Sequence, residues 1–226
     1  NSHNIATVAR RDGDDWLLTG KKTFISGVDH ADAVLIVART DDAKTGKLKP
    51  ALFLMPADSP NLEKHLIELD LGQAENQYSL FLDDVRLPSR ALVGEQDSAL
   101  WQLFAGLNPE RLMMGAGSVG ITRYFLNTAV DYAKTRSVWN TPIGAHQGLS
   151  HPLAQIKIEC ELAKLMLQKA ATIYDSGDDQ AAGEAANMAR FAGGEVAARA
   201  NQQALHTLGG NGLAAEHGLA LMLSMT

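Results

Sequence analysis

Glu110 stands directly before Arg111 in the string Asn108-Pro109-Glu110-Arg111, an acid that could move a proton beside a cation that could hold an anion. By type and spacing alone the string reads as a helix start: an N-cap, Pro at the first helical position, then an acid that the macrodipole favours by about 0.3–1 kcal/mol. Just beyond it, Gly115-Ala116-Gly117-Ser118-Val119-Gly120 matches the G-x-G-x-x-G string of dinucleotide-binding proteins. That fingerprint needs a buried strand upstream, and here a helix start stands in its place. The small residues are therefore expected to let another helix, or a flat ligand, approach closely. The seven histidines, at 3, 30, 65, 146, 151, 206 and 217, show no metal spacing, and no metal site is expected. No G-x-S-x-G is present, so a serine-nucleophile hydrolase has no support. Thr141-Pro142-Ile143-Gly144 and Gly209-Gly210-Asn211-Gly212 read as turns whose backbone N–H groups a pyrophosphate could use.

The elements that must carry these residues change in character near residue 90. Before it, short apolar stretches lie between turn residues: Trp16–Thr19, Thr23–Ser26, Ala33–Thr40, Ala51–Met55, Leu66–Leu69 and Tyr78–Val85. They read as strands of an antiparallel β-domain. The alternation in Ser79–Asp84 is imperfect, which suggests a sheet covered on both faces. After Leu100 the period becomes helical. Leu149, Leu153, Ile156, Cys160, Ala163, Leu167, Ala170 and Tyr174 fall on one helical stripe, and Gly177 is placed for a left-handed C-cap. Ala181–Thr207 is helical in pattern before Gly209-Gly210, and the helix starting at Asn108 is expected to run to about Thr135. The fold class is α+β: a partial antiparallel β-domain over residues 1–90, then an antiparallel, truncated helical bundle over residues 91–226.

Composition narrows the function. The 226 residues carry a net charge of −6, which argues against a nucleic-acid or anionic-membrane binder. The apolar runs are far shorter than the ~20 residues a membrane span needs. Cys160 is the single cysteine, so no intrachain disulfide can form; a reducing, cytoplasmic location is expected. Asn1–Arg11 lacks the apolar core of a secretory signal. Both edges read as cut, and the chain is expected to be a piece of a longer protein.

Five segments in order, "WLLTGKKTFISGVDHADAVLIVART", "LFLDDVRLP", "NPERLMMGAGSVG", "RSVWNTPIGAHQ" and "LGGNG", resemble the acyl-CoA dehydrogenase family over nearly the whole chain. The resemblance implies a middle β-domain followed by a C-terminal four-helix bundle, a tetramer (a dimer of dimers), and FAD at a subunit interface. It places Phe24 and Ser26 against the flavin ring, with the Ser26 hydroxyl near the edge that receives hydride. It places Arg136, Trp139 and Gln147 on a segment that reaches the FAD of a neighbouring subunit, together with His206, Gly209 and Gly210. Arg suits a pyrophosphate because it is always charged and offers a fork of donors.

The same resemblance implies removal of two hydrogens across Cα–Cβ of an acyl-CoA thioester in fatty acid metabolism, electrons passing to an electron-transfer flavoprotein. In one group of members the base is a Glu before an Arg in the helix after the β-domain. Glu110 matches that pattern, with Arg111 facing substrate; in other members the base is a Glu that would lie beyond Thr226. Asn140 stands where a Gly is usual, Trp139 where a Phe is usual, and His206 where a Gln is usual. Two rival readings follow: a non-catalytic subunit that lends its bundle to a heteromeric partner, and a flavin oxidase or monooxygenase on the same scaffold. The intact protein is expected to be an enzyme, and the 226-residue piece alone is not.

Overall fold

The computed structural model describes residues 5–41, 45–69, 75–95 and 98–223. The chain divides into two compact units, Asn1–Phe104 and Ala105–Thr226.

The first unit is built on one seven-stranded sheet: β1 (Val8–Asp12), β2 (Asp15–Ser26), β3 (Ala33–Asp41), β4 (Leu48–Pro56), β5 (Leu62–Ile67), β6 (Gln77–Leu87) and β7 (Leu92–Val93). Their order is β5-β6-β2-β1-β3-β4-β7. All neighbours are antiparallel except β1 and β3, which meet in parallel at Val8 and Arg39, so the sheet is mixed rather than wholly antiparallel. Trp16, Phe53 and Met55 are among its largest buried side chains, and Trp16 meets Phe53 edge to face at 5.2 Å.

Two bulges explain why the alternation misleads. On β6 an extra residue sits between Leu82 and Val85, with Asp84 at φ +53°. A one-residue insertion exchanges the two faces of a strand. Leu80 and Leu82 are buried before it, Val85 and Leu87 after it, so one buried face changes parity. On β2 a second bulge between Lys22 and Ile25 does the same: Trp16 and Leu18 face the core before it, Ile25 after it. The expected Leu66–Leu69 strand is displaced to Leu62–Ile67, an edge strand whose Glu63, Lys64 and His65 are exposed. Charged edge strands are common protection against edge pairing and carry little apolar signal.

The second unit is helical: α1 (Ala99–Thr135, within this unit from Ala105), a hairpin of β8 (Ser137–Val138) and β9 (Thr141–Pro142), α2 (Gln147–Asp175), α3 (Asp179–Leu208) and α4 (Leu219–Met222). The predicted stripe on α2 holds, with Leu153, Ile156, Cys160, Ala163 and Ala170 fully buried. Phe125 of α1, Ile156 of α2 and Val196 of α3 share one core. Gly177 takes φ +81° at the α2–α3 turn, and Asp178 Oδ1 caps α3 by accepting from the Ala181 amide at 3.0 Å.

One boundary differs from expectation. Asn108-Pro109-Glu110 does not start a helix; α1 begins at Ala99, and Pro109 lies inside it. Pro109 has no N–H for the carbonyl of Ala105 four residues back, a loss the surrounding helix tolerates. Asn108 is buried, and its Oδ1 accepts from Arg111 Nη1 at 3.2 Å. The Gly115–Gly120 string is likewise mid-helix, with no strand-to-helix turn for a phosphate.

Candidate active site

In the β-unit the bulge on β2 sets two of the expected site residues, Phe24 and Ser26. Phe24 has φ +59° and is 62% exposed, turned away from the core that Ile25 enters. Ser26 pairs across the strands with buried Gln77, its Oγ 2.8 Å from Nε2 and 3.0 Å from Oε1. The hydroxyl is thus held by Gln77, a side chain that no local pattern singles out. Just ahead of the bulge, Lys22 shares the core-facing parity of Trp16 and Leu18, and its Nζ donates to the Val37 carbonyl at 2.5 Å. Burial lowers its pKa from 10.5 to about 8. A lysine at an apolar parity was the available signal. Beyond Ser26, Asp29 Oδ2 accepts from Asn76 Nδ2 (3.0 Å) and Tyr78 Oη (3.1 Å), and the Asn76 hydrogen bond leads in holding its carboxyl below the usual range.

In the helical unit Glu110 is exposed on the interior of α1, too far from the helix start to serve as a first-turn acid. Arg111 is half-buried against Asn108. Below them Gly115, the first glycine of the string, is used for close packing, whereas Gly117 and Gly120 are not. A Cβ on Gly193 of α3 would lie 3.1 Å from the Gly115 carbonyl oxygen and 3.1 Å from Ser118 Cβ.

At the far end of α1, roughly 38 Å along the axis from Glu110 at 1.5 Å per residue, several predicted residues gather. The Arg136 amide donates to the Tyr132 carbonyl at 2.9 Å, and the Arg136 carbonyl accepts from the Ile143 amide at 2.9 Å, closing the hairpin. Trp139 and Asn140 form its tip with φ +53° and +63°, the paired left-handed conformation of a type I′ turn. Asn tolerates that region, so Asn140 preserves the turn a Gly would make. Trp139 is 86% exposed, its ring edge-on to His146 at 6.1 Å. Gln147, exposed, opens α2.

The end of α3 comes to the same place. His206 is exposed and lines a cavity of about 280 Å³ with Pro152, Gln155 and Ile156 of α2. Gly209 and Gly210 are exposed, and among the described residues nothing beyond their chain neighbours lies within 4 Å of where their side chains would begin. Asn211 Nδ2 donates to Tyr132 Oη at 3.0 Å, tying this turn to α1 beside Arg136. The structure therefore brings Arg136, Trp139, Gln147, His206, Gly209 and Gly210 to one end of the bundle, with Glu110 and Arg111 well along α1. A neighbouring cavity of about 590 Å³ lies among Leu126, Val130, Lys134, Pro142, Ser150 and Leu153. Tyr132 and Asn211 escaped the sequence reading because only the fold joins them.

This donor set suits a flavin dinucleotide. An exposed aromatic and a hydroxyl in one unit suit a ring and its polar edge; in the other, a guanidinium and the open backbone at Gly209 and Gly210 suit a pyrophosphate. Among the described residues no group of three His, Cys, Asp or Glu could hold a metal, and no helix is long and apolar enough to cross a membrane.

Comparison with known proteins agrees in both units. The family model described as "Acyl-CoA dehydrogenase, middle domain" matches residues 1–85, and "Acyl-CoA dehydrogenase, C-terminal domain" matches residues 102–225. The chain is 61% identical over 224 residues to acyl-CoA dehydrogenase FadE12 of Mycobacterium tuberculosis, covering 99% of this chain and 58% of that protein. It is 32% identical to glutaryl-CoA dehydrogenase of Desulfococcus multivorans, covering 96% and 55%. Among solved structures, a glutaryl-coenzyme A dehydrogenase in complex with glutaryl-CoA superposes with a TM-score of 0.87 at 30% identity, covering 97% of this chain and 55% of that one. The chain thus spans little more than half the length of the relatives it matches.

Proposed function

The chain belongs to the acyl-CoA dehydrogenase family, and on that premise we propose that the whole protein is an FAD-dependent enzyme that converts an acyl-CoA thioester to the 2-enoyl-CoA, with Glu110 as the base. The observation that carries this reading is the position of Glu110: exposed, inside α1, and followed by Arg111, which buried Asn108 holds. No capping or macrodipole role accounts for an acid there.

The Glu110 carboxylate takes the α-proton: the Cα–H bond breaks and an O–H bond forms at the acid. Arg111 offers forked donors to the thioester end of the substrate, which favours charge building up at its carbonyl. Bound FAD supplies the acceptor for the β-hydrogen, which leaves as hydride. Phe24 and Ser26 hold the ring, the Ser26 hydroxyl being oriented by Gln77. Arg136, Trp139, Gln147, His206, Gly209 and Gly210 grip the nucleotide side. Because Glu110 and the Arg136 end stand roughly 38 Å apart along α1, that grip serves the flavin of another copy in a homotetramer. Electrons then pass to an electron-transfer flavoprotein, in the cytoplasm, as part of fatty acid metabolism. The ground for a heteromeric partner weakens at Asn140, whose left-handed conformation keeps the hairpin that a Gly would give.

The test uses the full-length, flavin-loaded protein. Glu110→Gln is expected to keep flavin and to slow bleaching of its visible band by acyl-CoA by at least ~10²-fold, the scale of a general base. Unchanged bleaching removes Glu110 from the reaction. Oxygen uptake without an acceptor protein identifies an oxidase instead.

A further inference from the structure

Three side-chain hydrogen bonds from the long helices converge on the stretch that follows α3. Asn211 Nδ2 donates to Tyr132 Oη at 3.0 Å, Tyr124 Oη donates to the His217 carbonyl at 2.8 Å, and buried Asn201 Nδ2 donates to the Leu219 carbonyl at 3.0 Å. Between them runs Gly209-Gly210-Asn211-Gly212. Gly209 has φ +58° and ψ −133°, a conformation open to glycine, and a Cβ on Gly212 would stand 3.2 Å from Leu205 backbone atoms. A run with three glycines has the most freedom to lose when it orders around a ligand. Freezing it beforehand lowers that loss and raises affinity.

We propose that Tyr132 and Asn211 are positioning residues that pre-order the glycine turn for the flavin nucleotide. The proposal rests on the reading above that Gly209 and Gly210 contact FAD. Tyr132 suits the role because its side chain reaches the glycine turn from the last turn of α1, directly before Arg136. Its carbonyl accepts from the Arg136 amide, and its hydroxyl accepts from Asn211, two residues past Gly209. The Tyr124 and Asn201 bonds fix the segment farther on, at His217 and Leu219; on the glycine run the Tyr132–Asn211 bond adds to backbone bonds from the Gly209 amide to the Leu205 carbonyl and from the Ala214 amide to the Asn211 carbonyl. Neither side chain of that pair need touch the nucleotide; each acts through the backbone it holds.

The experiment measures FAD affinity and apo-protein melting in the full-length protein for Tyr132→Phe, Asn211→Ala and the double variant. Loss of one such hydrogen bond is expected to raise the FAD Kd roughly three- to tenfold. The double variant is expected to be no weaker than the worse single, since both remove one contact. Melting of the apo protein is expected to stay within about a degree of wild type. A wild type that binds FAD beside a Tyr132→Phe protein of equal affinity overturns this proposal alone. So do additive losses, or apo melting points that fall in step with affinity. A wild type that binds no FAD overturns this proposal and the flavoenzyme reading together.

Discussion

Adding one methyl group at Gly193 and at Gly117 should have opposite consequences. Gly193 lies on α3 against α1, where a Cβ would stand 3.1 Å from the Gly115 carbonyl oxygen and 3.1 Å from Ser118 Cβ. Both are tighter than ordinary van der Waals contact, and the first is backbone, which can yield only if the helices separate. Overpacking of this kind costs about 1–3 kcal/mol. Replacing a helical Gly by Ala returns about 0.5–1 kcal/mol of backbone entropy. The net for Gly193→Ala is a loss of up to about 2.5 kcal/mol, a melting point lower by up to roughly 10 °C. At Gly117 nothing among the described residues outside its own helical turns lies within 4 Å of the added atom, so the entropy term acts alone and the helix gains about 0.5–1 kcal/mol. Urea unfolding of this 226-residue chain, followed by helical circular dichroism, reads both. Gly193→Ala as stable as Gly117→Ala would refute close packing of α3 on α1 at Gly115 and Gly193.

Lys22 makes stability depend on alkaline pH. Its amine titrates near 10.5 when unfolded and near about 8 in the folded unit. Between those values the unfolded chain keeps a proton that the folded one has released, so the residue's contribution to stability rises as pH climbs from about 8 to about 10.5. Lys22→Met should flatten that part of a urea-midpoint curve, and an undiminished rise would count against the burial of the amine. At the hairpin tip, Asn140→Gly should leave protease cleavage of the Arg136–Pro142 segment unchanged. Asn140→Val should accelerate it, because the left-handed conformation costs ordinary residues roughly 1–2 kcal/mol and β-branched ones more; equal cleavage of the two variants would contradict the type I′ turn.

Legibility in the sequence followed the range over which the forces act. The α2 stripe and the Gly177 cap are local patterns, and both stand as read. Val8–Asp12 was not seen as a strand because Arg10, Arg11 and Asp12 are exposed and its two neighbours, β2 and β3, are supplied only by the fold. Pro109 misled for the opposite reason. Its local preference for a first turn is genuine, but a helix already running from Ala99 overrides a preference worth less than the helix as a whole. That correction bears on function, because it removes the structural role that had made Glu110 unremarkable.

The site was least legible where it depends on backbone conformation rather than residue type. Among the described residues five non-glycine residues have positive φ: Phe24, Asn61, Asp84, Trp139 and Asn140. Asn and Asp enter that region at little cost, but aromatic residues do so only where the surroundings impose it. Phe24 and Trp139 are the two aromatics among them, both are largely exposed, and neither position secures core burial in return. Strain of order 1–3 kcal/mol that persists without a packing reward is found where a side chain must face a ligand. On this ground we propose that both rings are presented to the cofactor, Phe24 to the flavin ring and Trp139 to the nucleotide side. The bulge on β2 and the type I′ turn are the devices that aim them, and neither can be inferred from the letters Phe and Trp.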